Sequence, residues 1–154
     1  MKRFTSVTAL ILLGIFFVSA PNALAQKMKK KDKTLMAAED VKWEILKAAP
    51  PGSGVMCSVL WGNLEKGPFG AFIKFPAGFK MPLHYHSSTL KAVVVKGAYV
   101  YIPEKGEEKR MGQGSYFTYP ALDRHATGSA EDSETILFVQ GSGKFDAVPI
   151  EEKK

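Results

Sequence analysis

Histidine and cysteine are scarce in this chain: 154 residues contain three of the first and one of the second. The single Cys57 excludes an intramolecular disulfide and any metal site built on several thiolates. A lone cysteine in a chain of this kind reads most simply as a small apolar filler. Long apolar runs are also lacking. The longest covers residues 7–18, well short of the roughly 20 residues a membrane-spanning helix needs, so stable membrane insertion is not expected. No stretch carries a convincing amphipathic helical period and no segment repeats, which argues against a helical bundle or a solenoid. The net charge is +6, but no basic stripe is interleaved with aromatic residues, so nucleic acid is not an expected partner.

What the chain does contain begins with a leader. Met1-Lys2-Arg3 is basic, residues 7–18 are apolar, and Ala23-Leu24-Ala25 is a small-residue cleavage pattern. These are the three parts of a secretory signal peptide, expected over residues 1–25. No cysteine follows the cleavage pattern, which argues against a lipoprotein. Export, to a periplasm if the cell is bacterial, is the expected localisation. Residues 26–40, with Lys27, Lys29, Lys30, Lys31 and Lys33, read as a solvated tether. A single domain is expected over residues 41–150.

Within that domain the pattern is short and β-like. Val41–Lys47 alternates apolar and polar residues, as a half-buried strand does. Further strands are expected at Val55–Trp61, Phe69–Phe75, Leu90–Lys96, Ala98–Ile102, Ser115–Tyr119, His125–Thr127 and Glu134–Gln140, with Gly and Pro clusters between them. Lys96-Gly97 reads as a tight turn or bulge joining two paired strands. Residues 103–110 read as a polar hairpin loop. With the histidine stretch from Met81 counted, about nine or ten short strands at near-regular spacing imply an all-β sandwich or barrel with antiparallel pairing.

The three histidines fall in a pattern. His84 and His86 are separated by one residue, so on a strand both rings point to the same face. His125 lies on a later strand and would supply a third imidazole. Gly78 precedes His84 by five intervening residues, and Gly97 closes that stretch. Gly114, Pro120 and His125 form a second stretch.

In these two stretches the chain resembles the cupin superfamily. Its first motif is Gly, five residues, His-x-His, three or four residues, Glu, six residues, Gly. Its second is Gly, five residues, Pro-x-Gly, two residues, His, three residues, Asn. Residues 78–129 match in register, with departures: Leu90 stands in the Glu slot, Leu122 in the second-motif Gly slot and Ser129 in the Asn slot. The resemblance implies a small antiparallel double-stranded β-helix, the jelly-roll or cupin barrel. It implies one divalent transition metal held by His84, His86 and His125, with no carboxylate ligand. That ligand set is similar to those of the acetylacetone-cleaving and thiol dioxygenases, which favours iron. Zinc, nickel, manganese and copper also suit imidazole. Cupins often pair, so a homodimer is an expectation of the same kind.

Three neutral ligands leave coordination positions open and leave a divalent ion its full charge. An anionic small molecule is therefore the expected ligand, and oxygen-dependent, dioxygenase-like chemistry the leading activity. A non-catalytic binding module and a metal-dependent lyase, isomerase or hydrolase are its rivals. Leu90 would present an apolar wall to the ion, and Arg124 would contribute an anion contact. Tyr85 and Lys91 alternate away from the site. Tyr99, Tyr101, Tyr116 and Tyr119 read as barrel packing, and Phe72, Phe75, Phe117 and Phe138 as core.

Overall fold

A computed structural model of the chain describes residues 34–151. The expected leader and most of the tether lie outside the described residues. Ala38–Asp40 forms a single 3-10 turn. Eleven strands follow: β1 (Glu44–Ile45), β2 (Met56–Gly62), β3 (Phe69–Phe75), β4 (Lys80–Tyr85), β5 (Leu90–Lys96), β6 (Ala98–Pro103), β7 (Lys109–Gly112), β8 (Tyr116–Tyr119), β9 (His125–Ser129), β10 (Thr135–Gly141) and β11 (Val148–Pro149). They form two antiparallel sheets. One runs β1-β2-β3-β10-β5-β8 and the other β11-β4-β9-β6-β7. No helix among the described residues is long and apolar enough to cross a membrane.

The alternation of the strands builds the core. In β3, Phe69, Ala71 and Ile73 are fully buried, and in β10 Leu137 and Val139 join them. From the facing sheet come Tyr99 and Met111. Burying each large apolar side chain contributes about 1.5–3 kcal/mol. The opposite parity makes the outer face of the larger sheet. Phe72 and Phe138 are on that outer face, not in the core as their apolar character suggests. They pack edge to face at 6.1 Å, and Phe72 meets Trp43 at 6.4 Å. Tyr116 is likewise outside, 62% exposed. The strand expected over 41–47 shrinks to two residues, because only Glu44 and Ile45 find partners on β2.

The step from β5 to β6 is a second departure. Lys96-Gly97 does not join paired strands. β5 pairs with β10 and β8, whereas β6 pairs with β7 and β9 in the other sheet. The chain turns a corner there. Gly97 has φ +72, and a Cβ on it would lie 2.3 Å from the Glu134 carbonyl oxygen. Only glycine combines that conformation with that approach.

The second-motif departures are also accounted for. Ser129 is buried in the Asn slot. Its hydroxyl donates to the Pro76 carbonyl at 2.6 Å and accepts from the Phe79 amide at 2.9 Å, closing the turn at Gly78. Leu122 keeps the left-handed conformation of the glycine it replaces, with φ 68, and its side chain is 64% exposed.

Two outcomes are expected. Gly97→Ala should lower unfolding free energy by at least about 2 kcal/mol in urea titrations, since positive φ and a backbone clash combine. Leu122→Gly should raise it by about 0.5–1 kcal/mol, the left-handed strain outweighing the added chain entropy.

Candidate metal centre

β4 and β9 lie side by side, and their register sets His84 opposite His125. Alternation past Tyr85 brings His86 to the same face. β11 covers the other edge of β4, with Pro149 opposite His84. The three rings thus come from adjacent chain segments of the smaller sheet. Ring centroids are 4.6 Å apart for His84 and His125, 5.2 Å for His84 and His86, and 5.4 Å for His86 and His125. One nitrogen from each lies within 4.8 Å of the others, and all three residues are buried. The resemblance brings these three residues forward, and the fold gathers them.

Each ring is held by its other nitrogen. His84 Nδ1 is 2.8 Å from the Pro82 carbonyl oxygen. His86 Nδ1 contacts the Asp146 carbonyl oxygen. His125 Nδ1 is 3.2 Å from both the carbonyl oxygen and Oδ2 of Asp123. A carbonyl oxygen only accepts, so each Nδ1 carries the proton and donates. Each Nε2 then keeps a free lone pair. His125 Nε2 is buried without a hydrogen-bond partner, and an orphaned acceptor in a protein interior is unfavourable unless something else fills its role. A divalent transition metal fits this arrangement: three neutral imidazole Nε2 donors with outer partners on Nδ1.

The surroundings keep the rings neutral. Burial, the largest cause, pushes the His86 pKa down to about 4 and the His125 pKa down to about 3. The neighbouring imidazoles push His125 the same way. Burial lowers His84 as well, against its hydrogen bond to Pro82. The ligands are therefore ready for a cation without first losing protons.

Aromatic rings wall the site. Tyr119 stacks on His125 with centroids 4.1 Å apart and planes 13° from parallel. Phe145, from the segment after β10, lies 5.5 Å from His86. The same segment ties down the loop after His86, where Asp146 Oδ1 accepts from the Ser87 amide at 2.8 Å. Tyr119 and Asp146 escape sequence reasoning. A tyrosine on a strand looks like packing, and Asp146 belongs to no motif. The pairing of Leu90 with Tyr119 in β5 and β8 places the tyrosine beside the site, and only the fold shows that pairing.

The remaining site residues divide. Leu90 is 3% exposed and lies on the wall of the interior cavity that His84 and His86 also line. Arg124 turns to the surface, where Glu104 Oε1 holds its guanidinium at 2.9 Å. It is not on that cavity wall. It precedes β9, and its guanidinium pairs with Glu104 at the surface rather than with anything in the cavity. Lys91 is exposed, as alternation requires.

A family model described as a domain of unknown function, DUF4437, matches residues 21–148. The chain belongs to the DUF4437 family. No curated protein matches this DUF4437 chain. Solved structures do. The polyketide cyclase RemF from Streptomyces resistomycificus is similar with a TM-score of 0.64 at 16% identity, over 80% of this chain and 89% of that one. An RmlC-like cupin from Ralstonia eutropha gives 0.58 at 24%, over 78% and 79%. The DMSP lyase DddQ from Ruegeria pomeroyi gives 0.55 at 18%, over 73% and 61%. At such identities the likeness establishes the fold of the DUF4437 chain, which is the cupin barrel.

The pH dependence of stability follows from the histidines. In the unfolded chain they take up protons near pH 6.5, and in the folded protein only near pH 4 and 3 for His86 and His125. Between those values the unfolded state binds more protons, so lowering the pH weakens folding. The urea midpoint of metal-free protein should fall steadily from pH 7 to pH 4.5. His125→Leu should flatten that slope; an equal slope in the variant contradicts the assignment.

Proposed function

We propose that this protein is a mononuclear metal centre acting on a small molecule that ligates the ion through an anionic group, in oxygen-dependent, dioxygenase-like chemistry with ferrous iron. The observation that carries the reading is the set of three buried imidazoles, each donating from Nδ1 and free at Nε2. No carboxylate joins them, so a bound divalent ion keeps both charges and attracts an anion. When bound, iron supplies a Lewis acid and a source of electrons for dioxygen. The chain's own residues do the rest. Pro82, Asp123 and Asp146 fix the ring orientations. Leu90 lowers the local dielectric and strengthens the attraction between ion and ligand. Tyr119 and Phe145 cover two of the rings and keep water away from them. The leader pattern in the sequence supports a site that works after export.

A second reading, metal-dependent lyase or isomerase chemistry without oxygen, is favoured by a different observation. The similar structures include a DMSP lyase and a polyketide cyclase. Metal analysis and oxygen uptake separate the two. Protein purified without added metal or chelator should hold about one equivalent of iron, and an oxygen electrode should record uptake when the substrate is added. Zinc or nickel with turnover in anaerobic buffer would establish the lyase reading instead. Leu90→Glu should raise metal affinity, since it adds an anionic donor candidate beside the rings, and shift preference among metals. A variant that matches the parent in both places Leu90 outside the ion's reach.

A further inference from the structure

The cavity beside the histidines has a chemical character of its own. It opens about 50 Å3 to the centre of a water molecule, where about 10–15 Å3 holds one water. That is space for a ligand of a few heavy atoms. Ile73, Phe79, Leu90, Leu137 and Val139 are among the many apolar residues of its wall, and no Lys, Arg, Asp or Glu lines it. A second charge placed there would be buried without a partner, which is strongly unfavourable.

The wall has one polar feature besides His84 and His86: a chain of three hydroxyls. Tyr119 donates to the Tyr99 oxygen at 3.0 Å, and Tyr99 and Thr127 share a hydrogen bond of 2.8 Å. All three residues are buried and all three line the cavity. Three hydroxyls bring three protons, but only two hydrogen bonds join them. Tyr119 uses its proton on Tyr99. If Tyr99 then donates to Thr127, the Thr127 proton has no protein acceptor. If Thr127 donates to Tyr99, the Tyr99 proton has none. Among the described residues no other acceptor lies within reach of either hydroxyl. In both arrangements one buried donor is left over, on a residue of the cavity wall. A buried donor without an acceptor is unfavourable, so the cavity's contents complete the chain.

We propose that the cavity takes a small ligand with two unlike ends and a carbon body: an anionic end at the histidine-held ion and an uncharged acceptor, such as a carbonyl or ether oxygen, at the Tyr99–Thr127 hydroxyls. This rests on the metal reading and adds to it. The ion accounts for one end of the ligand; the leftover proton and the uncharged wall specify the other end and the middle.

The test uses straight-chain monocarboxylates on the zinc-loaded protein. Zinc is titrated first, by calorimetry. Butanoate, pentanoate and hexanoate are then compared with 4-oxopentanoate and 5-oxohexanoate, and with the dicarboxylates succinate and glutarate. At least one oxo acid should bind fivefold to tenfold tighter than its parent acid, about the worth of one net hydrogen bond. The dicarboxylates should bind at least tenfold weaker than that oxo acid. The variant Tyr99→Phe/Tyr119→Phe/Thr127→Val removes all three hydroxyls with little change of shape. Zinc is titrated on this variant as well, and once zinc-loaded it should lose the preference for the oxo acid. Oxo acids no tighter than their parents, dicarboxylates as tight as the best oxo acid, or a preference that survives in the variant each overturn the proposal. The comparison on unaltered protein decides even where the variant fails to fold. Absence of zinc binding in the first titration would instead overturn the metal reading on which this one stands, before any carboxylate is added.

Discussion

The arrangement of the site depends on three hydrogen bonds from imidazole Nδ1 to oxygens of the chain. They fix which nitrogen of each ring carries the proton, and so which nitrogen faces the other rings. Two of the acceptors are local, Pro82 for His84 and Asp123 for His125, each two residues before its histidine. The third is distant. Asp146 reaches His86 from the segment between β10 and β11. The local pair follows from strand geometry alone, whereas the distant one requires the chain's end to dock against β4. That docking brings Phe145 onto His86 and Val148 opposite Tyr85. The geometry of the three-histidine cluster and the seating of the C-terminal segment are therefore linked through one ring.

Burial acts in the same direction as these bonds. It keeps the rings neutral, and it makes an unfilled Nε2 unfavourable. A site of this kind is poor at stabilising the protein by itself and well prepared to receive a cation. The missing carboxylate sharpens that preference. Leu90 stands where a charged ligand would neutralise part of the ion, and the cavity beyond it is walled by carbon. A bound ion would then be the sole full charge available to a ligand entering the barrel. Recognition elsewhere falls to uncharged groups, of which the Tyr119–Tyr99–Thr127 chain is the principal set.

Much of this was legible in the sequence. The short β runs, the same-face spacing of His84 and His86, and the second stretch ending at His125 led to the barrel and its three buried rings. Ser129 and Leu122, which looked like losses from the second motif, keep the local structure by other means: one hydroxyl with two partners, and one strained backbone. What could not be read were features set by pairing across the fold. The corner at Gly97 looks like a hairpin turn because sequence does not say to which sheet the next strand belongs. Phe72 and Phe138 sit on the outer face because parity along β3 and β10 is fixed by their partners, not by hydrophobicity. Arg124 looked like a ligand contact through its proximity to His125, but its guanidinium turns to Glu104 at the surface. Tyr119 and Asp146 gain their roles from register and from the path of the C-terminal segment.

The central claim is that all three histidines hold their proton on Nδ1 and present Nε2 to one ion. Long-range proton–nitrogen NMR on nitrogen-15-labelled, metal-free protein at pH 7 reads this directly. The account predicts three neutral rings, each protonated at Nδ1, with all three Nε2 resonances shifting together as one equivalent of zinc is added. A ring protonated at Nε2, a ring charged at pH 7, or a zinc titration that leaves any one Nε2 unmoved would contradict it.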